Sequence, residues 1–244
     1  MTTTIDRRPL LRVLPTLLVG LFITIGLLSG CSPSGIPDGL SSTGVPLTAA
    51  QSEALASARL RLGLGGEFTV HVTSGAPDDT AHYAADLTVD PVSHRAWGTL
   101  SRGPQSLSVN ETIAFTIDRY ATEASGTWVV QPVEAAPGSG LFVVLSLSSD
   151  RPENAQLVQQ AANRYLGTVN VNGSPLGVYQ LATNTGEVGH TRMWLDEDGT
   201  FQRLDAGDDT LLVITRTTSP ASPMPDEVDA MFGNAPTSGI GGDG

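Results

Sequence analysis

Short runs in which apolar and polar residues alternate with a period of two recur along most of the chain, and nothing else constrains its fold as strongly. Tyr83, Ala85, Leu87 and Val89 form one such run within 81–89, and Ile113, Phe115 and Ile117 another within 112–119. Further runs occupy 94–101, 105–110, 127–131, 168–171, 176–183, 190–195, 200–205 and 210–217. Alternation sends successive side chains to opposite faces of a strand, so each run has one face for a core and one for another environment. Most runs end in turn chemistry, such as Asp90-Pro91, Ser125-Gly126, Asn172-Gly173 and Asp196-Glu197-Asp198-Gly199. An antiparallel meander is therefore expected.

Helical patterns interrupt the strands. Leu47-Thr48-Ala49-Ala50-Gln51 carries a capping box, with Thr48 as N-cap and Gln51 three residues on, and Ala-rich sequence follows to about Ala58. From Arg59 the period changes to two. Leu60, Leu62 and Leu64 alternate with Arg59, Arg61 and Gly63, and the pattern resumes after Gly65-Gly66 at Phe68, Val70 and Val72, which predicts a hairpin or one bulged strand. Leu141 to Ser148 is continuously apolar and fits a buried strand or a helix equally well. Asp150-Arg151-Pro152-Glu153 then reads as a helix start capped by Asp150. Leu157, Val158, Ala161, Ala162 and Tyr165 form its apolar stripe, and Gly167 ends it. Strands, inserted helices and strands again make an α+β domain, with one antiparallel sheet curved around its helices.

The two ends of the chain are different in kind. Arg7, Arg8 and Arg12 precede an uncharged apolar run from Val13 to Leu28, the order of an export signal. As a helix the run reaches only about 24 Å, short of the roughly 30 Å hydrocarbon core, so it predicts a signal over 1–30 and not a permanent span. Arg7-Arg8-Pro9-Leu10-Leu11 also resembles a twin-arginine export signal. Leu28-Ser29-Gly30-Cys31 follows, and Cys31 is the single cysteine of the chain. This resembles the bacterial lipobox, in which a peptidase cuts before the cysteine and the sulfur carries a diacylglyceryl group. Small residues at 29 and 30 let the backbone enter a narrow protease site, and a thiolate is the nucleophile a thioether needs. Residues 31–46 are rich in Ser, Pro and Gly and predict a flexible tether; 219–244 predict a disordered tail with one helical turn at 226–232. The domain is thereby bounded at 47–218, and a chain cut to those residues is expected to keep its melting temperature within a few degrees.

Composition narrows the function. All 13 basic residues are Arg, 25 residues are acidic and the net charge is −12. Removing residues 1–30 takes away Arg7, Arg8, Arg12 and Asp6 and lowers the charge to −14. A phosphate-tracking nucleic-acid binder needs the opposite sign. An all-arginine basic set is what GC-rich coding produces, which points to an actinobacterium. With one cysteine no internal disulfide can form, so the core and the sheet ladder must hold the domain.

A search for chemistry leaves no constellation. The four histidines, at 71, 82, 94 and 190, have no ligand spacing, and no Gly-x-Ser-x-Gly elbow is present. Gly63-Leu64-Gly65-Gly66 opens no helix, which excludes a phosphate loop. Asp196 to Gly199 has its glycine too early for a calcium loop and reads as a hairpin turn. Asp205, Asp208 and Asp209 read as a solvated cluster, and the sequons at Asn110 and Asn172 as idle. No enzyme, cofactor or metal is expected.

Over about 47–218 the chain resembles the mycobacterial LppX/LprG lipoprotein family. The resemblance rests on the lipobox, the short tether and a helix ending Ala54-Leu55-Ala56-Ser57-Ala58. It continues through Asp86-Leu87-Thr88 before Pro91, an aromatic-bearing stretch to Trp128, the mid-chain apolar segment and the late hairpin Met193-Trp194-Leu195-Asp196-Glu197-Asp198-Gly199. It implies a half-barrel sheet like that of periplasmic lipoprotein carriers, with two to three helices on its concave side and a helix at 141–148. It also implies an apolar cavity that binds or moves acyl lipids or lipoglycans. The residues expected at that cavity are Ala54, Leu55 and Ala58 on the first helix, Leu141, Phe142 and Leu145 on the middle segment, and Leu157, Val158 and Ala161 on the later helix. The expected protein is a monomer, anchored through Cys31 to the extracytoplasmic face of the cell membrane. A scaffold module with a filled core remains the alternative, and the interior volume of the domain separates the two.

Overall fold

The computed structural model of the chain describes residues 39–133, 139–183, 185, 187–207 and 212–233. The signal at 1–30, Cys31, most of the tether, Asp208 and Asp209 lie outside these residues. Among the described residues, twelve strands form one antiparallel sheet in the order β1-β8-β9-β10-β11-β12-β2-β3-β4-β5-β6-β7. The strands are β1 (Val45–Pro46), β2 (Phe68–Ser74), β3 (Tyr83–Asp90), β4 (Arg95–Arg102), β5 (Val109–Phe115) and β6 (Arg119–Ala124). The others are β7 (Thr127–Pro132), β8 (Arg164–Val171), β9 (Ser174–Ala182), β10 (Val188–Leu195), β11 (Phe201–Ala206) and β12 (Leu212–Thr217). The described residues also form helices α1 (Ala49–Leu64), α2 (Ala155–Gln160) and α3 (Asp226–Gly233) and a 3-10 helix (Ser139–Ser146). No helix among the described residues is long and apolar enough to cross a membrane.

The alternation seen in the sequence gives the sheet two distinct faces. Laid flat, twelve strands would make a ribbon about 50 Å wide at ~4.8 Å per strand. Instead the inward residues of β2–β6 and β9–β12, among them Val72, Leu87, Leu100, Phe115, Leu195 and Ile214, join one buried cluster with α1, the 3-10 helix and α2. The sheet is therefore strongly curved around these helices, and β1 and β7 are the edges of an open half-barrel.

Several expectations are corrected. The helix opened by Thr48 does not stop at Ala58. It runs to Leu64 and closes at Gly65, whose N–H bonds back to Leu62 and Gly63. The Arg59–Leu64 alternation satisfies both periods, and the helical one prevails because Leu55, Ala58 and Leu62, spaced by three and four, share the buried face. The helix expected from Asp150 to Tyr165 shrinks to α2. Residues 149–153 lie along α1 instead, where the N–H groups of Ser149 and Glu153 donate to the carbonyls of Arg59 and Ala56 at 3.1 and 2.9 Å. Asn154 caps α2. The buried Asn163 ends it, donating to the Val158 carbonyl at 2.9 Å and accepting from the Ala182 N–H at 2.7 Å, so Tyr165 and Gly167 belong to β8. The runs at 105–110 and 112–119 become the single strand β5, and Thr116 starts a turn by accepting from the Arg119 N–H at 3.1 Å. β6, which had no counterpart among the expected strands, follows that turn.

The boundaries also move. Leu40 packs on the outer face against Leu166, Leu176, Val178 and Trp194, and Val45–Pro46 pairs with β8, so the described end of the tether is docked. Within the expected tail, 226–233 form α3, while 234–244 lie outside the described residues. Val228 and Phe232 of α3 are buried with Trp97, Ala114, Ala121 and Trp128. Those strand residues sit on the face opposite the main core, because their neighbours Ala96, Ile113 and Tyr120 belong to that core. The third helix is thus on the outer side and not on the concave one.

Candidate functional site

Between the helices and the inner face of β9–β11 lies a groove of about 540 Å³. Its walls are built by three different periodicities. α1 contributes Leu55 and Arg59, which share a helical face at a spacing of four. The 3-10 helix contributes Val143 and Ser146, and Leu147 follows directly after it. In a three-residue period, Leu141 and Val144 stack on the buried line, whereas Val143 and Ser146 turn toward the groove. The floor is Leu181 on β9, Met193 on β10 and Leu204 on β11, inward residues of adjacent strands. Val158, Leu157 and Ala161 of the α2 region form the far wall, and Leu157, 64% exposed, stands at the opening.

The lining is mainly aliphatic, with polar groups at its margin. Arg59 pairs with Glu153 at 3.2 Å and donates to the Ser148 carbonyl at 3.4 Å, which ties α1 to the segment before α2. Asn163 and Thr183 border the end where β8 and β9 meet α2. With Leu55, Val143, Leu147, Leu157, Val158, Leu181, Met193 and Leu204 making up most of the wall, what the arrangement offers chemically is shelter for apolar surface.

Of the residues singled out from sequence, Leu55, Leu157, Val158 and Ala161 come together here. The others do not. Ala58, Leu141 and Leu145 are packed into the core, and Phe142 meets Phe115 edge-on at 5.0 Å. Ala54 faces the β10–β11 turn, 3.4 Å from where a side chain on Gly199 would begin. Leu181, Met193 and Leu204 were not singled out, although the alternation of the last four strands carries the signal that they face inward.

Among the described residues, no three His, Cys, Asp or Glu side chains gather as a metal site. The Asp196 carboxylate is consumed by its own turn, accepting from the N–H groups of Asp198 and Thr200 and from Gln202 Nε2 at 3.1, 2.8 and 2.7 Å. The loop from Asp196 to Gly199 is the hairpin turn its sequence predicts.

No protein-family profile matches the sequence, and a search of curated proteins finds no match. Solved structures do. The chain is similar to LprF from Mycobacterium bovis, with 16% identity and a TM-score of 0.47 over 75% of this chain and 99% of that one. It is also similar to the Mycobacterium tuberculosis lipoprotein LppX, with 13% identity and a TM-score of 0.44 over 71% of this chain and 95% of that one. LppX is one of the two names of the family that the sequence resembles. A LolA superfamily protein from Nitrosomonas europaea matches with 8% identity and a TM-score of 0.30, over 75% of this chain and 97% of that one.

Proposed function

We propose that this protein is an exported lipoprotein, held by Cys31 at the extracytoplasmic face of the cell membrane, that binds and transfers an acyl lipid or lipoglycan as a monomer. The observation that supports this most is the groove itself. A volume of about 540 Å³ falls within the roughly 300–1,000 Å³ of small-molecule pockets, and its aliphatic walls suit an acyl chain better than a polar ligand. Burial of acyl methylenes there would be favourable by about 0.8 kcal/mol each. The scaffold alternative calls for a close-packed interior, which the groove interrupts.

The test is native mass spectrometry of the full chain carrying Cys31→Ala, purified from lipid-containing cells, with and without Ala161→Trp. Lipid should accompany the first protein and be largely lost from the second, because an indole at Ala161 fills the groove. A protein that carries no lipid and takes up none from added phospholipid or lipoglycan is a scaffold. Lipid retained undiminished after Ala161→Trp would keep the function and reject the groove.

The anchor carries its own prediction. With Cys31 lipidated, two or more acyl chains hold the protein on the membrane where one would bind only reversibly, and the −14 charge of the mature chain gains nothing from anionic headgroups. Cys31→Ala should shift the protein from the membrane fraction to the soluble extracytoplasmic fraction. Recovery of the variant in membranes at wild-type levels would show that something other than Cys31 anchors it.

A further inference from the structure

A second pocket, of about 350 Å³, lies on the inner face toward the β7 edge and shares no residue with the groove. Arg102 of β4, Glu111 of β5, Tyr120, Thr122, Glu123 and Ala124 of β6 and Gln131 of β7 line it. The register brings them together, since Tyr120 pairs with Gln131 and Glu111 stands two residues from Ile113, the partner of Thr122. Arg102 Nη2 donates to Glu111 Oε1. This leaves Glu111 Oε2 buried without a partner among the described residues, and the Tyr120 hydroxyl, on a side chain only 2% exposed, is in the same condition.

Two unpaired polar atoms of complementary type at one pocket are costly unless something meets them, because each has given up its water without gaining a partner. Burial first, and the Glu111 carboxylate second, push the Tyr120 phenol up to about 12, so it stays an O–H donor throughout the physiological range. The pocket therefore offers a donor at Tyr120, an acceptor at Glu111, and side chains that both donate and accept at Thr122 and Gln131. An anion is disfavoured because the Arg102 charge is already matched by Glu111 and the chain as a whole is at −12. A bare cation would leave the Tyr120 O–H without an acceptor, and an apolar ligand would leave both orphan atoms unpaired. A hydroxyl group both donates and accepts, so two adjacent hydroxyls can donate to Glu111 Oε2 and accept from Tyr120 at once.

We infer that this pocket is a binding site for a neutral vicinal diol, the chemistry of a sugar or polyol, distinct from the acyl groove. The experiment records amide shifts of the isotope-labelled full chain carrying Cys31→Ala, titrated with methyl α-glucoside, with octyl glucoside and with inorganic phosphate. Methyl α-glucoside should shift Glu111, Thr122 and Gln131, and phosphate should not. Tighter binding of octyl glucoside at the same amides identifies a lipid-borne sugar as the source, and equal binding a free one. Tyr120→Phe should weaken the glucoside by about tenfold, the size expected for losing a hydrogen bond in a charged network, while leaving the melting temperature unchanged or higher because it deletes an unpaired hydroxyl. Absence of shifts with both glucosides, shifts that Tyr120→Phe does not move, or a stronger response to phosphate would each overturn the inference. Ala161→Trp separates it from the proposed function: glucoside binding unchanged in that variant upholds this site whatever the groove holds, and binding abolished by it assigns the sugar to the groove and rejects the site.

Discussion

Ending the chain at Thr218 should lower its melting temperature by about 10 °C or more. The cut removes α3, whose Val228 is fully buried and whose Phe232 is 6% exposed, and it uncovers Trp97 and Trp128 on the outer face of β4 and β7. Burying an aliphatic or aromatic side chain contributes roughly 1.5–3 kcal/mol, so the two helix residues together account for about 4 kcal/mol before the tryptophans are counted. The cut also deletes the Ser222 carbonyl that accepts from Trp97 Nε1 at 2.7 Å and the Ser219 carbonyl that accepts from Thr69 Oγ1 at 2.9 Å. At about 2–4 °C per kcal/mol for a domain of this size, the sum exceeds 10 °C. Phe232→Ala alone should reproduce a large part of it, near 3 kcal/mol. Thermal unfolding followed by circular dichroism decides the matter: a loss under 3 °C for the truncated chain would mean that α3 rests on the sheet without supporting it.

That helix marks the limit of what the sequence discloses. The strands are legible because each has two faces in different surroundings, and a period of two survives inspection one residue at a time. The capping box at Thr48 and Gln51 is legible for a similar reason, since both partners lie within one turn. α3 offers only Val228 and Phe232 at a spacing of four inside a Pro, Ser and Gly-rich stretch, and its partners on the sheet are about a hundred residues or more away in sequence. Their signal was present at the other end of the contact. Trp97 and Trp128 occupy strand positions opposite the core face, and large aromatics on a face expected to be solvated call for a cover.

The groove was half legible for a related reason. Apolar stripes on α1 and near α2 gave Leu55, Leu157, Val158 and Ala161, because a helical face can be read from spacing. What the stripes face depends on how far each helix runs, and that was decided by contacts such as the Ala182 N–H to Asn163 and the Glu153 N–H to Ala56, invisible to any local period. The middle segment is the least legible, because a continuously apolar run shows no face, and only its 3-10 period puts Val143 and Ser146, and not Leu141 or Leu145, beside the open space.

Gly98→Ala should be the most damaging single substitution in the sheet. Gly98 lies in β4 opposite Leu87 of β3 and Ile113 of β5. A Cβ there would fall 1.9 Å from the backbone carbonyl oxygen of Asp86 and 3.1 Å from Leu87 Cα, and the residue's φ of +157° is one that side chains rarely adopt. The atom in the way is main chain held by ladder pairing on both sides, so relief requires β3 and β4 to separate. Overpacking of this kind costs about 3 kcal/mol or more, which corresponds to roughly 10 °C. Gly126→Ala is the control. Its φ of +77° is unfavourable as well, but nothing lies within 4 Å of its added Cβ, so it should cost only about 1–2 kcal/mol. Equal melting temperatures for the two variants would show that β3 and β4 yield without cost.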